Sequence, residues 1–282
     1  MKEFYSIRFI YVLMINLLLG LDRSTYCINF EQVCRICYDL GFNGIEIQPE
    51  HPEIWKEFPK CAKQINDIIE SYNFKIGVHA PIKDLNMASY NERIRNITLN
   101  EIMMAESFAE KLNARYFLIH AGKNSFVSRS LMSKTWQKKA IEFCIDTISK
   151  ILEKSTCKIT LENMTWSEWR FSSKIKYLSK IFECFPIDSL YFTLDISHAL
   201  ERSRNFVKKL VNLFAERIIS FHFGDFNIQK FIFEHIKINN TKLKNFEFLV
   251  LEPHTLPLSS NRELLSSLIS KQFHYIKKEL LP

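Results

Sequence analysis

The chain has 282 residues, of which 47% are hydrophobic and 24% are charged, a balance that excludes disordered, collagen-like and coiled-coil proteins. Its 38 basic and 31 acidic residues give a net charge of +7, which permits an anionic ligand without requiring one. The sequence has 6 glycines and contains neither a G-x-G-x-x-G string nor a G-K-[ST] phosphate loop, so a nucleotide-binding loop is not expected.

The first apolar segment, Phe9–Leu21, follows Lys2 and Arg8 and has two interpretations. Its length resembles the hydrophobic core of a signal peptide and is too short to span a bilayer. The alternative is a buried strand at Phe9–Ile15. We adopt the strand because it brings the number of strand-like segments from seven to eight, which is the number in a closed (β/α)₈ barrel. The protein is then expected to be cytoplasmic, without a membrane partner.

Beyond this segment, short β-rich stretches alternate with longer amphipathic ones. The predicted strands are Gly44–Gln48, Lys75–His79, Tyr116–His120, Lys158–Glu162, Leu190–Asp195, Ile218–His222 and Phe246–Glu252. The predicted helices are Phe30–Leu40, Pro59–Tyr72, Asn91–Leu112, Ser133–Ser155, Ser173–Cys184, Arg202–Ala215 and Asn261–Leu280. This alternation is typical of parallel strands joined by crossover helices. It predicts an α/β fold, a (β/α)₈ TIM barrel forming a single domain over residues 1–282.

The seventh β/α unit is predicted to be shortened. The 23 residues between His222 and Phe246 contain no clear amphipathic pattern. We therefore expect a loop there, with at most a turn or two of helix.

Imidazole or carboxylate side chains end six consecutive predicted strands. They are His79, His120, Glu162, Asp195, His222 and Glu252, and His198 follows three residues after the fourth. The carboxyl ends of the strands of such a barrel meet at one mouth, where active sites lie. Each side chain alone could pair with a neighbouring Lys or Arg. Together, however, several buried carboxylates repel one another, and a divalent cation such as Zn²⁺ or Mn²⁺ would relieve that repulsion.

Seven strings carry a family resemblance. In chain order from residue 41 to 254 they are GFNGIEIQPE, VHAPIKDLNMAS, FLIHAG, TLENMT, TLDISHAL, SFHFGD and LVLEPH. They resemble the xylose isomerase-like barrels, which include endonuclease IV and the sugar isomerases and epimerases. VHAPIKDLNMAS and TLDISHAL are the more specific strings, and the set covers most of the chain.

The resemblance to endonuclease IV implies two metal sites that share one carboxylate. The residues that match the first site are His79, His120 and Glu162. Glu162 would bridge to a second metal, whose remaining matching ligands are Asp195, His222 and Glu252.

A third metal site is implied only in part. His198 and His235 match two of its ligands, but the third ligand in the family is an Asp two residues before the second histidine. This chain has Phe233 at that position, so Asp225 or Glu234 would have to substitute. The glycine-rich stretch that follows in the family is also absent.

Two reaction classes fit these residues. A metal-dependent phosphoester hydrolase, acting at abasic sites in DNA or on a phosphorylated sugar, would use all of them, with zinc as the expected metal. A single-metal sugar or sugar-phosphate isomerase or epimerase, with manganese or magnesium, would use Glu162 and Glu252 as an acid/base pair around an enediolate. The second class has no use for His79 and His120, so the hydrolase is favoured. A degenerate barrel that binds without turnover is a third hypothesis.

Four residues near the strand ends are candidates for substrate binding: Glu46, Asn86, Lys123 and Trp166. Glu46 could instead hold a helix N-terminus, and Trp166 could cover the barrel mouth by packing, which we favour over stacking on a base. The loop after the third strand offers no aromatic side chain to wedge into a duplex, which counts against a DNA substrate.

Overall fold

The computed structural model describes residues 15–21, 29–50, 60–125, 134–224 and 242–252, together with 54, 58, 267, 269–271, 273 and 274. The predictions for the seventh β/α unit and for His235 fall on residues 225–241 and lie outside this range. None of the helices in the described part of the chain is both long enough and apolar enough to cross a bilayer.

Eight parallel strands form a closed barrel, so the predicted fold is confirmed. Each strand pairs with the next along the chain, and the last pairs with the first, with Leu18 opposite Val250. The strands are β1 (Asn16–Gly20), β2 (Gly44–Ile47), β3 (Lys75–His79), β4 (Tyr116–His120), β5 (Ile159–Glu162), β6 (Leu190–Asp195), β7 (Ile218–Phe223) and β8 (Phe248–Leu251).

Helices alternate with the strands and pack their apolar faces on the outside of the barrel. They are α1 (Phe30–Leu40), α2 (Ala62–Ser71), α3 (Glu92–Lys111), α4 (Lys134–Lys154), α5 (Ile175–Phe182), α6 (Ile196–Leu200) and α7 (Arg204–Phe214). Residues 267, 269–271, 273 and 274 are also helical, inside the predicted last helix. The sequence did not predict the five-residue helix α6, which begins directly at the end of β6.

The first strand lies later than predicted. It was expected at Phe9–Ile15, whereas β1 occupies Asn16–Gly20 in the same apolar segment. A strand buried on both faces is a continuous apolar run, so periodicity gives no signal for where it starts or ends. Pairing fixes its position instead, since Leu18 lies beside Gly44 of β2 on one side and Val250 of β8 on the other.

Alternate residues of each strand point into the barrel and stack in layers. The lower part of the interior is apolar around β1, β4 and β8, where Leu18, Tyr116 and Phe248 pack together. Around β5, β6 and β7 it contains a chain of hydroxyls, in which Thr193 Oγ1 lies 2.8 Å from Thr160 Oγ1 and 2.7 Å from Ser220 Oγ. Two residues after these three hydroxyl residues come Glu162, Asp195 and His222, which belong to the layer of histidines and carboxylates described below.

Gly77 of β3 makes room for the Tyr116 ring inside the barrel. A Cβ at position 77 would lie 2.4 Å from Cζ and 2.5 Å from Oη of Tyr116. We expect Gly77→Ala to lower the free energy of unfolding by about 1–3 kcal/mol, because the buried ring has no space to retreat. Urea unfolding would measure this as a lower midpoint. In a Tyr116→Ala background the same substitution should cost less, and an unchanged cost would contradict the steric explanation.

Candidate metal centre

The ends of β3, β4 and β5 bring together the first predicted set of ligands. His79, His120 and Glu162 each offer an atom within 4.8 Å of the other two. Glu162 Oε2 lies 2.6 Å from His120 Nε2 and 3.7 Å from His79 Nε2. The other nitrogen of His79, Nδ1, lies 2.7 Å from the carbonyl oxygen of Ala80, which fixes the ring orientation. All three side chains therefore point at one volume, as the sequence predicted.

A second set forms on the opposite side of the barrel and includes a residue that the prediction placed elsewhere. Glu46, His222 and Glu252 also have atoms within 4.8 Å of one another. His222 Nδ1 lies 3.1 Å from Glu252 Oε1 and 3.3 Å from Glu162 Oε1, so His222 connects the second set to the first. Its Nε2 lies 3.2 Å from Glu46 Oε2.

A third set joins Glu162 to Asp195 and His198. Asp195 ends β6 and is also the N-cap of α6, where its Oδ1 accepts a hydrogen bond of 2.8 Å from the backbone N–H of His198. Its Oδ2 remains 3.0 Å from His198 Nδ1. A reciprocal pair of hydrogen bonds, 2.8 and 2.9 Å long, fastens the Asn163 side chain to the Asp195 backbone. The short helix and Asn163 thus hold Asp195 and His198 in place.

Several polar atoms in this layer are buried without a hydrogen-bond partner. They are Glu162 Oε1, Asp195 Oδ2, His222 Nδ1 and His222 Nε2. Opposed atoms lie within ion-pair distance, but their lone pairs and N–H groups are not aligned with one another. Buried polar groups are rarely left unsatisfied, and carboxylate oxygens with imidazole nitrogens are the donor set of Zn²⁺ and Mn²⁺. The residues present therefore fit a divalent metal.

Burial and mutual contact shift the proton affinities of this layer. Burial alone would lower the pKa of His79, but Glu162, Glu46 and Glu252 raise it to about 9. Burial raises the pKa of Asp195 to about 7. For Glu162, burial is outweighed by His120, His222 and His79, which hold the pKa of its carboxyl well below its ordinary value. Without metal, the layer therefore retains protons on some of its prospective ligands.

Within the described residues, Glu46 contacts Tyr116 and His222 rather than a helix N-terminus, which corrects one of its two predicted roles. It lies inside the barrel, 2% exposed, and its Oε2 accepts a hydrogen bond of 2.6 Å from the Tyr116 hydroxyl. Tyr116 was not among the site residues predicted from the sequence. The signal was its position, since Tyr116 lies four residues before His120 on the same face of β4.

Asn86 ties two loops together at the barrel mouth. Its Nδ2 donates to the Lys123 carbonyl at 2.8 Å, and its Oδ1 accepts from the Lys123 backbone N–H at 2.9 Å. Gly122 has a φ of +73°, and a Cβ there would lie 2.5 Å from Asn86 Oδ1. The Asn86 side chain therefore fixes the loop that carries Lys123, whose own side chain is exposed.

Trp166, in the loop after β5, is 47% exposed. The Arg202 guanidinium carbon lies 5.7 Å from the centroid of the Trp166 ring. The backbone N–H of Trp166 donates a hydrogen bond of 3.2 Å to the Glu201 carboxylate. The ring thus lies against an arginine at the surface, and about half of the side chain remains open to solvent.

Residues 34–249 match the family of xylose isomerase-like TIM barrels. Among individual proteins, the uncharacterized protein MJ1311 of Methanocaldococcus jannaschii is 31% identical over 199 residues, 68% of this chain and 64% of that protein. The alignment thus spans slightly less than two thirds of that relative. A probable endonuclease 4 of Thermosipho africanus is 27% identical over 230 residues, 76% of this chain and 74% of that protein.

Two solved structures share the fold. A D-tagatose 3-epimerase-like protein superimposes with a TM-score of 0.73 at 23% identity, over 95% of this chain and 100% of that one. The IolI protein with a bound zinc atom superimposes with a TM-score of 0.69 at 14% identity, over 94% and 99% of the two chains. The resemblance predicted from the sequence is confirmed by the family match, and the chain belongs to the xylose isomerase-like TIM barrel family.

Proposed function

We propose that the protein is a divalent-metal-dependent phosphoester hydrolase with a site for at least two metal ions, zinc being the expected metal. The observation that supports this is the convergence of His79, His120 and Glu162, separate from the group around His222 but connected to it through Glu162. A single-metal isomerase site has no need of the two additional imidazoles. A hydrolase with a pair of metals has a use for them.

The different exposures of Glu162 and Glu252 suit them to different roles in the proposed reaction. Divalent metals held by the His79, His120 and Glu162 group and the His222 group would polarise phosphate oxygens and supply hydroxide near neutral pH. Glu162 is 2% exposed and contacts imidazoles from three strands, so its role is that of the ligand shared between the metal sites. Glu252 is the more accessible carboxylate, at 8% exposed, and is placed to accept or return a proton. Phosphorylated sugars and abasic DNA both remain candidate substrates.

A sugar or sugar-phosphate isomerase or epimerase is the second candidate. The observation in its favour is that Glu162 and Glu252 both approach Nδ1 of His222, at 3.3 and 3.1 Å. This places two carboxylates around one prospective ligand, as required of an acid/base pair that moves a proton between neighbouring sugar carbons. Manganese or magnesium would then replace zinc. In this reaction His79 and His120 would have no part in turnover.

Metal content per folded chain tests the first proposal. Protein purified without chelator or a histidine tag should contain at least two divalent metals per chain by elemental analysis. His79→Ala and His120→Ala should each lower that number by about one. The matched control is His274→Ala, which removes an imidazole from the exposed face of the last helix and should leave the metal content unchanged. One metal or none in the wild-type protein would contradict the hydrolase site.

Activity assays then separate the reaction classes. A hydrolase should release product from an abasic duplex or a sugar phosphate, and lose this activity in His79→Ala. An epimerase should interconvert keto sugars, retain that activity in His79→Ala and lose it in Glu252→Gln. A folded, metal-loaded protein that is silent in both assays would indicate a barrel that binds without turnover.

A further inference from the structure

The loops after β4 and β5 pair with each other at the barrel mouth. Asn124 N–H donates to the Trp169 carbonyl at 2.8 Å, and Phe171 N–H donates to the Gly122 carbonyl at 3.4 Å. These two bonds flank an isolated antiparallel bridge between Lys123 and Arg170. Residues at such a position are directly opposite and project from the same face, with the backbones at their closest approach.

The bridge therefore places two cations side by side. Like charges directly opposite one another destabilise a strand pair. Within the described ranges, neither the Lys123 ammonium nor the Arg170 guanidinium forms an ion pair with a carboxylate. One recorded side-chain hydrogen bond of Arg170 runs from Nη1 to Thr165 Oγ1, and a guanidinium has five donors. Among the residues that the structure describes, the two positively charged side chains on this bridge thus have no carboxylate partner.

Lys123 and Arg170 line one cavity together with His120, which is a prospective metal ligand. This cavity, of about 130 Å³, lies between the loops after β3, β4 and β5, and His120 forms part of its wall beside Lys123 and Arg170. The backbone of Lys123 is fixed in position, because the Asn86 side chain forms hydrogen bonds with both its N–H and its carbonyl. An anion in this cavity would neutralise the cations and lie next to the His79, His120 and Glu162 group.

We propose that Lys123 and Arg170 form a binding subsite for a phosphate group of the substrate. A guanidinium can bond two phosphate oxygens at once, and an adjacent ammonium supplies a further charge. The identity of the bond that reacts is taken from the proposed function, on which this proposal rests. The subsite restricts the substrate to molecules that carry a phosphate group. A neutral free sugar would leave the two cations uncompensated. Binding itself can be measured without turnover.

The test is calorimetric titration of metal-loaded protein with inorganic phosphate. Lys123→Gln with Arg170→Gln should weaken phosphate binding by about tenfold or more, since two charged hydrogen-bonding groups are lost. The matched control is Lys208→Gln with Lys209→Gln, which removes the same charge from the exposed side of α7 and should change binding less than about twofold. Equal losses in both variants, or no loss in the first, would overturn the subsite.

Two further arms keep the test decisive. Lys123→Gln alone leaves the Arg170 contact with Thr165 intact, so it should fold normally and still weaken phosphate binding severalfold. Titrations with ribose 5-phosphate, ribose and a duplex containing a tetrahydrofuran abasic analogue identify the source of the phosphate. If the Lys123→Gln with Arg170→Gln variant loses affinity only for a phosphate-bearing ligand, the subsite is supported. An equal loss of affinity for ribose contradicts it. If wild-type protein binds phosphate through this pair but hydrolyses no ester, the proposed function fails and the subsite stands.

Discussion

Replacement of Glu162 by glutamine is expected to empty the metal centre and abolish activity. Glu162 takes part in two of the three ligand groups and contacts His222 of the other. An amide keeps the size of the side chain but removes the charge, and its NH₂ would face imidazole nitrogens that now lie against carboxylate oxygens. We expect less than one metal per chain and a loss of kcat/KM of about 10³-fold or more, because both the shared ligand and the metal's chemistry are lost.

The matched control for this substitution is Glu106→Gln. Glu106 is also a buried carboxylate, 3% exposed, but it lies on α3, where it accepts hydrogen bonds from the Ser155 hydroxyl and the Thr156 backbone at 2.6 and 3.1 Å. Its replacement should cost stability and leave the metal content unchanged. If Glu162→Gln retained full metal content, Glu162 would not be the shared ligand.

Metal-free protein is expected to lose stability as the pH rises from about 6.5 to 9. The pKa of His79 is 6.5 in an unfolded chain and about 9 in the fold, because the neighbouring carboxylates outweigh its burial. The folded state thus holds the proton more tightly. This contribution is fully present below pH 6.5 and is lost as the pH rises through 9, an effect on the order of 3 kcal/mol.

Among the neighbouring groups, His222 and Asp195 change stability in the same direction, whereas His120 and Glu162, whose pKa values are lowered, change it in the opposite direction. Burial alone would lower the pKa of His222, but the carboxylates of Glu46, Glu252 and Glu162 raise it well above its ordinary value, so its contribution is also lost at high pH. The pKa of Asp195, raised from 3.8 to about 7, adds a decline at lower pH, between about 4 and 7. Glu162 acts oppositely, because its pKa is lowered, and its contribution is lost only as the medium becomes acidic.

Urea unfolding in the presence of a chelator measures this dependence, and the same titration with metal provides the comparison. Metal competes with the protons, so its stabilising effect should grow from pH 6.5 to 9 and its binding should release protons. His79→Gln should flatten the curve of the metal-free protein, while His274→Gln should not. Metal-free protein that became more stable over this range would contradict the assignment.

The sequence was sufficient to predict where β3, β4, β5 and β6 end, whereas β7 ends one residue after His222 and β8 ends one residue before Glu252. His79, His120 and Asp195 end their strands at the predicted residue, because an apolar β-rich run that stops at a polar residue marks its own end. The set of histidines and carboxylates was predictable for the same reason, since parallel strands of a barrel share one mouth. Their function as ligands stays a prediction.

Contacts across the barrel could not be predicted. Glu46 contacts Tyr116 and His222, which lie on strands far apart in the sequence. No local sequence pattern determines these contacts. The grouping of the ligands differs for the same reason: the structure groups Asp195 with His198 rather than with His222 and Glu252. Asn86 stays a predicted substrate-binding residue, and its side chain also bonds to Lys123 and Ser125 in the next loop and to Ala88 in its own loop.

The closure of the barrel between β1 and β8 also sets an order in which the site can form during synthesis. His79, His120 and Glu162 lie on three consecutive strands, so their group can assemble once the chain has emerged from the ribosome as far as β5. Glu252 comes from the last strand, which pairs with the first, and a Cβ at Gly20 would lie 2.9 Å from Glu252 Cγ. A nascent chain would therefore gain the two halves of the proposed metal centre at different times, and the second half would form only after the ends of the sheet have met.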